Sequence, residues 1–491
     1  MLARTVTHAL VGLYPRRVEV EAHIQRGAPA FTIVGLADRA CQEAKHRVRS
    51  GIASAELEWP SRARLTVNLA PAGLRKEGSG FDLPIALAVL AASDQLPPGA
   101  LGGHAAIGEL ALDGRLRPVP GTLVAAEGAR QAGLERVVCA AESGSEVALA
   151  GVEPVPVAHL AEAVAYLQGR REPPAHAPPP AAAAHPSAHV PDLSDVRGQE
   201  RGRRALEIAA AGGHNLLLAG PPGTGKTMLA RRLPGILPLL DDEGALEVTR
   251  IHSVAGVLPP GSGLVRVPPF RGPHHSASTA AVVGGGGGAG GPRVGEVTLA
   301  HRGVLFLDEL PEFARAALES LRQPLEDGNV TVVRVADRAT FPARFQLVGT
   351  MNLCPCGARG VPGAACACTA QRLQRYRERL SQALLDRFDL VLAVPRSRGE
   401  ELAGPPGERS DAVRGRVGAA RERIRAAPPA LSHEAGALLT RAVERLPLSG
   451  RGRARVATVA VSIAALGGAE LVAPDHLAEA LSYRPPRELV E

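Results

Sequence analysis

Apolar and polar residues alternate along the first part of the chain. Residues 17–24 (RVEVEAHI) and 63–71 (ARLTVNLAP) alternate with a period of two, which predicts half-buried strands. Within residues 38–54 apolar residues recur at helical spacing, so this segment is predicted to be an amphipathic helix. Its predicted buried face comprises Cys41, Ala44, Val48 and Ile52. The pattern therefore predicts a compact α/β domain.

Farther along the chain, short apolar runs replace the alternating pattern. Residues 214–220 (HNLLLAG), 303–309 (GVLFLDE) and 345–352 (FQLVGTMN) are such runs, and helical stretches lie between them. Runs of this kind are typical of strands that are buried on both faces, as in parallel sheets. From about residue 396 the strand signals stop, and stretches rich in alanine and arginine predict helices. We expect a parallel α/β core followed by helices.

One segment shows neither pattern. Residues 169–191 are rich in proline, alanine and histidine and contain almost no large apolar residue. Such a segment buries too little surface to offset its ordering entropy, so it is predicted to be an extended linker. The prediction is an N-terminal domain over residues 1–168, then the linker, a core over 192–395 and a helical domain over 396–491. Residues 282–292, a glycine run, are predicted to form a mobile loop.

The composition is that of an ordinary soluble globular protein and narrows the function only slightly. Among 491 residues, 45% are apolar and 21% are charged. The formal net charge of +7 permits a nucleic-acid partner but does not argue strongly for one. The first residues lack the features of a secretory signal, and the longest apolar run, 83–92, is about half the length of a membrane span. We therefore expect a cytoplasmic protein.

A phosphate-binding motif follows the first of the apolar runs. Residues 220–227 (GPPGTGKT) match G-x-x-x-x-G-K-[ST], directly after a predicted strand and before a predicted helix. Glycines let backbone N–H groups in such a loop converge on phosphate oxygens. Lys226 is expected to reach the β- and γ-phosphates, and Thr227 to bind Mg²⁺ through its hydroxyl. The predicted nucleotide-binding residues of the loop are Gly220, Pro221, Pro222, Gly223, Thr224, Gly225, Lys226 and Thr227.

Two carboxylates end the second apolar run. In residues 304–309 (VLFLDE), four apolar residues precede Asp308 and Glu309. Ligands bind at the carboxyl ends of strands in open α/β sheets, which places both acids at the nucleotide. Asp308 is expected to hold Mg²⁺, and Glu309 to orient or deprotonate the attacking water. Together with Lys226, these residues predict an enzyme that hydrolyses a nucleoside triphosphate with Mg²⁺ as cofactor.

The order of the motifs resembles one branch of the AAA+ ATPases. The motif 220–227, then 304–313 (VLFLDELPEF) and then 384–390 (LLDRFDL), are similar to those of the branch that includes the magnesium chelatase motor subunit. Residues 270–278 (FRGPHHSAS) and the cysteine-rich stretch 354–368 resemble the ComM/YifB family, which is associated with competence. The resemblance covers essentially the whole chain. It implies an AAA+ P-loop core with a C-terminal helical lid.

The resemblance also implies roles for three further residues. Asn352 falls at the position of the family's sensor, which positions the lytic water. Arg387 matches the arginine finger, which reaches the nucleotide of the neighbouring subunit and so implies a ring, by resemblance a hexamer. Arg451 matches the second sensor in the lid, with Arg453 and Arg455 as close rivals.

The N-terminal domain resembles the proteolytic domain of Lon, through residues 108–126. The resemblance implies a fold like domain 2 of ribosomal protein S5. The lysine of the Lon serine–lysine dyad falls at Leu123, and the serine falls at Gly80, next to Ser79 and near Lys76. Because leucine cannot act as the base that a nucleophilic serine requires, we expect a proteolytically inactive domain used for assembly or substrate engagement.

Four of the six cysteines lie close together in the sequence, as two C-x-C pairs. Four thiolates suit a structural zinc ion in tetrahedral geometry, although C-x-C is tighter than the usual C-x₂-C spacing. The alternative is a set of reduced, buried or redox-active thiols. If zinc binds, it fixes a loop beside the sensor. The four candidate ligands are Cys354, Cys356, Cys366 and Cys368.

Two arginine-containing segments are candidates for contact with DNA. Residues 326–345 are predicted to form a hairpin, and Arg334 and Arg338 either grip a substrate strand or belong to an ordinary sheet extension. Residues 369–380 contain four arginines around Tyr376, and the segment either touches DNA phosphates or is a solvated helix face.

Two functions remain open from the sequence. The family resemblance implies an ATP-driven ring motor on branched or single-stranded DNA, which promotes branch migration in natural transformation or homologous recombination. The alternative is a protein-remodelling or metal-chelatase-type motor that acts on a partner protein. The sequence itself indicates the ATPase, whereas the DNA follows mainly from the resemblance.

Overall fold

The computed structural model describes residues 1–172, 190–285, 293–333, 338–361, 363–446 and 448–484. Most of the predicted linker, most of the predicted glycine-rich loop and Arg334 lie outside the described residues.

A mixed sheet of seven strands forms the centre of the N-terminal region. Its strands, with a short β6–β7 hairpin, are β1 (Leu2–Val11), β2 (Tyr14–Arg26), β3 (Ala30–Val34), β4 (Ala63–Ala70), β5 (His104–Ile107), β6 (Glu109–Leu110), β7 (Leu116–Arg117), β8 (Arg136–Ala140) and β9 (Glu153–Val157). The order across the sheet is β3-β4-β2-β1-β5-β8-β9. Its helices are α1 (Arg39–Ser54), α2 (Asp82–Ala92), α3 (Thr122–Gln131), α4 (Gly144–Leu149) and α5 (Leu160–Leu167).

The hydrophobic pattern explains these elements. In β4, Leu65, Val67 and Leu69 are buried and alternate with partly exposed residues, as the period of two predicts. The predicted face of α1 is buried as well. The apolar run 83–92 forms α2, which is buried almost throughout against the sheet. The predicted strands and helix of this region are therefore confirmed.

The second sheet is parallel and has five strands. With a separate hairpin, β13–β14, the strands of this region are β10 (Leu216–Ala219), β11 (Phe270–Arg271), β12 (Val304–Leu307), β13 (Asn329–Val333), β14 (Arg338–Pro342), β15 (Gln346–Met351) and β16 (Leu390–Ala393). The order β11-β12-β15-β10-β16 brings the carboxyl ends of β10, β12 and β15 to one edge. The three predicted buried strands and the predicted hairpin are confirmed.

Helices surround this sheet and continue to the end of the described chain. They are α6 (Glu200–Gly212), α7 (Lys226–Ala230), α8 (Leu233–Ile236), α9 (Asp242–Val254), α10 (Thr279–Val283), α11 (Glu296–Leu299), α12 (Arg315–Ser320), α13 (Arg322–Asp327), α14 (Ala370–Arg377), α15 (Gln382–Leu385), α16 (Gly399–Ala403), α17 (Ser410–Ala426), α18 (His433–Arg445), α19 (Gly450–Leu466) and α20 (Pro474–Ser482). Short 3₁₀ helices occupy Ala141–Ser143, Leu193–Asp195 and Leu310–Glu312.

The C-terminal region departs from the prediction in one detail. Strands β17 (Ala430–Leu431) and β18 (Leu471–Val472) pair in parallel between the helices, although strands were expected to stop at about residue 396. Each strand has only two residues, which is too short for any periodic signal. The pairing depends on packing that brings distant parts of the chain together.

The N-terminal region packs directly on the core. Helix α3 lies against α9, and the Ser253 hydroxyl of α9 donates a hydrogen bond of 2.5 Å to Glu146. Arg250 forms an ion pair of 3.0 Å with Glu127. Burial raises the pKa of both glutamates. Leu13, at the turn between β1 and β2, is buried in the apolar cluster that includes the β13–β14 hairpin. Among the described residues, no helix is both long and apolar enough to cross a membrane.

Candidate nucleotide-binding site

The phosphate loop joins β10 to α7 at the carboxyl edge of the parallel sheet. Gly223 and Gly225 have φ values of +74° and +86°, in the left-handed region that favours glycine. A Cβ atom at Gly220 would lie 2.4 Å from the carbonyl oxygen of Val394. Glycine is therefore required at Gly220 by close backbone contact and at Gly223 and Gly225 by conformation.

Lys226 closes the loop from its helical side. Its Nζ donates hydrogen bonds of 2.8 Å to the carbonyl oxygens of Gly220 and Pro221, and one of 3.1 Å to Oδ1 of Asn352. Burial lowers the pKa of Lys226, while Asp308 and Glu309 act in the opposite direction. The structure therefore brings together the predicted phosphate-binding lysine, the predicted sensor and both predicted acids.

Asp308 follows β12 and is held by two threonine hydroxyls. Thr227 donates to its carboxylate oxygens at 3.0 and 3.1 Å, and Thr350 donates to Oδ1 at 2.5 Å. Sequence reasoning did not single out Thr350. The available signal was a hydroxyl residue near the end of the run that forms β15, two positions before Asn352.

Glu309 occupies a strained backbone position beside Asp308. Its φ is +53° and its ψ is +50°, the left-handed conformation, which is uncommon for a residue with a side chain. Its backbone N–H donates a hydrogen bond of 2.9 Å to the Thr350 hydroxyl, and the residue is exposed. Strain of this kind concentrates at functional sites. Here it turns the chain immediately after the strand and leaves the carboxylate in solvent.

The residues at this edge fit ATP and Mg²⁺. A hydroxyl and a carboxylate, Thr227 and Asp308, are the hard oxygen ligands that Mg²⁺ prefers. The open space around Gly223, where an added Cβ would meet no atom within 4 Å, leaves room for phosphate groups beside the loop backbone. Lys226 supplies the positive charge for the terminal phosphates.

Two of the predicted arginines lie at the opposite edge of the sheet. The carbonyl oxygen of Arg387 accepts a hydrogen bond of 2.8 Å from Asn215, which directly precedes β10. The Arg387 side chain is 6% exposed and forms an ion pair with Glu326, and burial lowers its pKa. Arg451, whose side chain is 69% exposed, approaches the same Glu326 to 3.8 Å. The two arginines thus share one carboxylate, away from the phosphate loop of their own chain.

The rivals of Arg451 lie in the same helix, α19. Arg455 forms an ion pair of 3.4 Å with Asp389, and Arg453 is exposed. Asp389 also accepts a hydrogen bond of 2.9 Å from the backbone N–H of Asn215. Arg455 therefore contributes to the contact between the lid and the sheet, whereas Arg451 and Arg453 remain accessible in this chain.

The four clustered cysteines converge in space. Their Sγ atoms all lie within 4.8 Å of one another. A tetrahedral zinc site has Zn–S bonds of about 2.3 Å, which separates its sulfur atoms by about 3.8 Å. The Sγ atoms of Cys354 and Cys356 are 3.3 Å apart, and those of Cys356 and Cys366 are 3.6 Å apart. A hydrogen bond from the backbone of Ala358 lowers the pKa of the Cys356 thiol to about 6. The arrangement is compatible with Zn²⁺.

The positions that match the Lon dyad lie in an apolar environment. Leu123 is fully buried in a cluster that includes Ile107 and Val119. A Cβ atom at Gly80 would contact the same two side chains, at 3.6 and 3.5 Å. The adjacent Ser79 donates its hydroxyl hydrogen bond to Glu109. The two positions predicted to match the Lon dyad thus both lie beside the apolar side chains of Ile107 and Val119.

The two segments that are candidates for contact with DNA differ in structure. Arg338, at the start of β14, is exposed. In α14, by contrast, Tyr376 is buried, and Arg379 just beyond the helix donates hydrogen bonds to Pro311 and Glu312. Tyr376 is therefore part of the core.

Comparisons with known proteins cover the whole chain. Three family models match the chain. The model described as magnesium chelatase, subunit ChlI, matches residues 192–402. The model described as subunit ChlI of Mg-chelatase matches residues 20–143, and the model described as magnesium chelatase, subunit ChlI C-terminal, matches residues 407–484. The uncharacterized protein YifB of Escherichia coli is 44% identical over an aligned length of 497 residues, and the alignment covers 97% of this chain and 96% of YifB. The competence protein ComM of Haemophilus influenzae is 41% identical over an aligned length of 511 residues, and the alignment covers 100% of this chain and 99% of ComM. The chain belongs to the ComM/YifB family.

Membership of the ComM/YifB family agrees with the geometry of the core. The fold is a mixed α/β structure with parallel strands and an AAA+ module of the magnesium chelatase type. Lon protease 2 of Bacillus subtilis is 32% identical over 149 residues, 28% of this chain and 26% of Lon protease 2. This limited similarity agrees with the predicted resemblance of part of the chain to Lon protease. The family and the site residues together indicate ATP and Mg²⁺ as cofactors.

Proposed function

We propose that this protein is an ATP-hydrolysing ring motor that acts on branched or single-stranded DNA. In this proposal identical subunits, by family resemblance six, drive branch migration during natural transformation or homologous recombination. ATP and Mg²⁺ are the cofactors, and one Zn²⁺ per chain is structural. The roles of Arg387 and Arg451 and the domain boundaries predicted from the sequence are part of the same proposal.

Each residue at the carboxyl edge has a distinct task. When bound, ATP supplies the phosphoryl group, and Mg²⁺ neutralises charge that develops on it. Thr227 and Asp308 hold the ion, and Thr350 fixes the Asp308 carboxylate through its hydroxyl. Lys226 exchanges its carbonyl partners for phosphate oxygens. Glu309 orients the lytic water and accepts its proton.

The observation that carries the proposal is the separation of two sets of charged residues. Arg387 and Arg451 lie at the amino edge of the parallel sheet, and Lys226 and Asp308 lie at the carboxyl edge. A four-residue strand such as β10 spans about 13 Å, at about 3.3 Å per residue. The exposed Arg451 at the amino edge is therefore better placed to reach the nucleotide of a neighbouring copy than that of its own chain. Arg387 is buried against Glu326 and would have to leave that ion pair to do the same. This arrangement supports a ring of identical subunits joined head to tail.

Mixed rings test the shared site. Lys226→Ala and Arg387→Ala each remove one half of a site, so each variant alone is expected to be inactive. In an equal mixture, about a quarter of the interfaces combine an intact phosphate loop with an intact arginine, so phosphate release should recover. Arg441→Ala, at an exposed arginine of α18, is the control and should retain activity. If the mixed rings assemble normally and exchange subunits but phosphate release does not recover, Arg387 does not act at the nucleotide of the neighbouring subunit.

DNA as the substrate is supported by two further observations. ComM of Haemophilus influenzae is named a competence protein, and exposed arginines of this chain include Arg338, Arg372 and Arg375. Basic side chains bind phosphates in a sequence-independent and salt-dependent way. We expect forked or single-stranded DNA to stimulate ATP hydrolysis and a synthetic junction to undergo ATP-dependent branch migration. Absence of both responses, with stimulation by a partner protein instead, supports the protein-remodelling alternative.

The zinc assignment has a direct test. The four cysteines supply a complete tetrahedral ligand set, and their Sγ separations suit one ion. Protein purified under reducing conditions is expected to contain one zinc per chain by atomic spectroscopy. Replacement of Cys354 by serine should remove it. Wild-type protein that is active and free of metal contradicts this part of the proposal.

A further inference from the structure

The first half of the cysteine segment lies on the phosphate loop. A Cβ atom at Gly357 would be 2.7 Å from Cγ of Pro222, and one at Gly360 would be 3.3 Å from Cγ of Pro221. Both glycines have φ values in the left-handed region, +76° and +81°. The backbone at these two glycines can approach the proline rings this closely only because glycine has no side chain. The loop that binds phosphate is therefore packed on one side against residues 357–360.

The same segment is attached to the sensor. Asn352 binds Lys226 through its side chain, at 3.1 Å, and its backbone forms a hydrogen bond with Tyr376, which is buried in α14 just beyond the cysteines. Two residues after Asn352, Cys354 is fully buried. Cys354 therefore lies between the sensor and the surface that covers the phosphate loop.

Local hydrogen bonds tie residues 357–360 to the cysteine cluster. The backbone N–H of Gly357 donates to the carbonyl oxygen of Cys354 at 3.1 Å. The backbone N–H of Arg359 donates to Sγ of the same cysteine at 3.3 Å. Because Cys354 accepts both bonds, any movement of this cysteine displaces the residues that touch Pro221 and Pro222.

We propose that the four-cysteine site positions the phosphate loop for ATP. Zinc bound by Cys354, Cys356, Cys366 and Cys368 fixes the 357–360 stretch against Pro221 and Pro222, and holds Asn352 at Lys226. Binding of zinc to thiolates supplies folding free energy to the segment that carries them. Loss of zinc therefore frees the loop and weakens nucleotide binding, although no zinc ligand touches the nucleotide. This inference rests on the proposed ATP site and adds a zinc requirement to it.

A pair of glycine variants separates this contact from general loop strain. Gly357 and Gly363 have nearly the same φ, +76° and +77°, so alanine imposes the same conformational cost at both. An added Cβ meets Pro222 at Gly357 but nothing within 4 Å at Gly363. Gly357→Ala is expected to raise the Kd for a fluorescent ATP analogue about ten-fold, which corresponds to about 1.4 kcal/mol of binding free energy. Gly363→Ala should change it less than two-fold.

Zinc content is measured on the same preparations. Both glycine variants should retain one zinc per chain, because neither substitution removes a cysteine ligand. Equal nucleotide affinity in the two variants overturns the inference. If the two variants behave alike while the wild-type protein binds the analogue and drives branch migration, the proposed function stands. Only the proposed link between the zinc site and the phosphate loop is then contradicted. A wild-type protein that fails to bind the analogue contradicts the proposed function itself.

Removal of one ligand gives the second test. Cys366→Ser is expected to lose zinc and to weaken binding of the analogue at least as much as Gly357→Ala does. The control is Cys139→Ala, at a buried cysteine of the N-terminal region, which should retain both properties. A folded Cys366→Ser protein without zinc and with wild-type affinity for the analogue contradicts the inference. If Cys366→Ser does not fold, the comparison of Gly357→Ala with Gly363→Ala remains as the test of the inference.

Discussion

The two larger sheets of this protein each have a lysine buried beside them, and the surroundings of the two lysines differ. Lys226 lies at the carboxyl edge of the parallel sheet, with Asn352 in contact and two carboxylates nearby. Lys76 is fully buried in the N-terminal region, where its Nζ donates to the carbonyl oxygen of Pro71. Burial lowers the pKa of both lysines. The difference lies in what surrounds each amine.

That difference shows why the fold alone does not assign chemistry. Around Lys226, hydroxyl, carboxylate and amide groups converge on open space. In the N-terminal region, the positions that match the Lon dyad hold Gly80 and Leu123, which pack with apolar side chains. Catalysis is therefore expected at the parallel sheet, and a role in assembly or substrate engagement is expected for the N-terminal region.

Replacement of Lys226 is expected to have the largest effect on turnover. Lys226→Ala removes the charge that faces the terminal phosphates, and such a loss should reduce ATP hydrolysis by roughly 10³-fold or more. Phosphate release at saturating ATP measures the effect. Circular dichroism should show an unchanged fold. Turnover within ten-fold of wild type means that the phosphate loop is not the reaction centre.

Replacement of Glu309 should separate hydrolysis from binding. Glu309→Gln preserves the shape of the side chain but removes the base, so turnover should fall by about 10²–10⁴-fold. The Kd for ATP should stay within a few-fold of wild type, because Lys226 and Asp308 are unchanged. Retained hydrolysis in Glu309→Gln assigns the water-activating role to another residue.

Thr350 gives an intermediate effect that the sequence did not predict. Thr350→Val keeps the shape of the residue but removes the hydroxyl that donates to Asp308. Loss of such an outer-shell partner typically costs about 10–100-fold in metal affinity. The Mg²⁺ concentration for half-maximal turnover should therefore rise. Thr340→Val, in the exposed part of the β13–β14 hairpin, is the matched control and should show no change.

Ser79 is expected to have the smallest effect. Its hydroxyl bonds Glu109 in the N-terminal region, so Ser79→Ala should cost about 0.5–1.5 kcal/mol of stability and leave ATP turnover within two-fold of wild type. Neither wild type nor variant should cleave casein. If the wild type cleaves casein and Ser79→Ala does not, the N-terminal region has proteolytic activity. The contrast between the two larger sheets is then wrong.

The prediction from sequence succeeded where the signal was local. The phosphate loop, the run that ends in Asp308 and Glu309, and the alternation in β4 are contiguous segments, and the structure has the strands where the pattern indicates them. It missed Thr350, because a single hydroxyl in an apolar run has no distinguishing pattern. It also gave no sign that Arg387 and Arg451 share Glu326.

The sequence by itself determined the elements and the chemistry that each short motif carries, because spacing along the chain controls which side chains leave a strand, helix or loop together. Only the tertiary structure decided which motifs meet. The sheet order β12-β15-β10 sets Asp308, Thr350 and the phosphate loop side by side although they are far apart in the chain. The contact between Gly357 and Pro222 likewise arises from packing between separate loops. Contacts of this kind depend on strand order and on close packing, which no local pattern encodes.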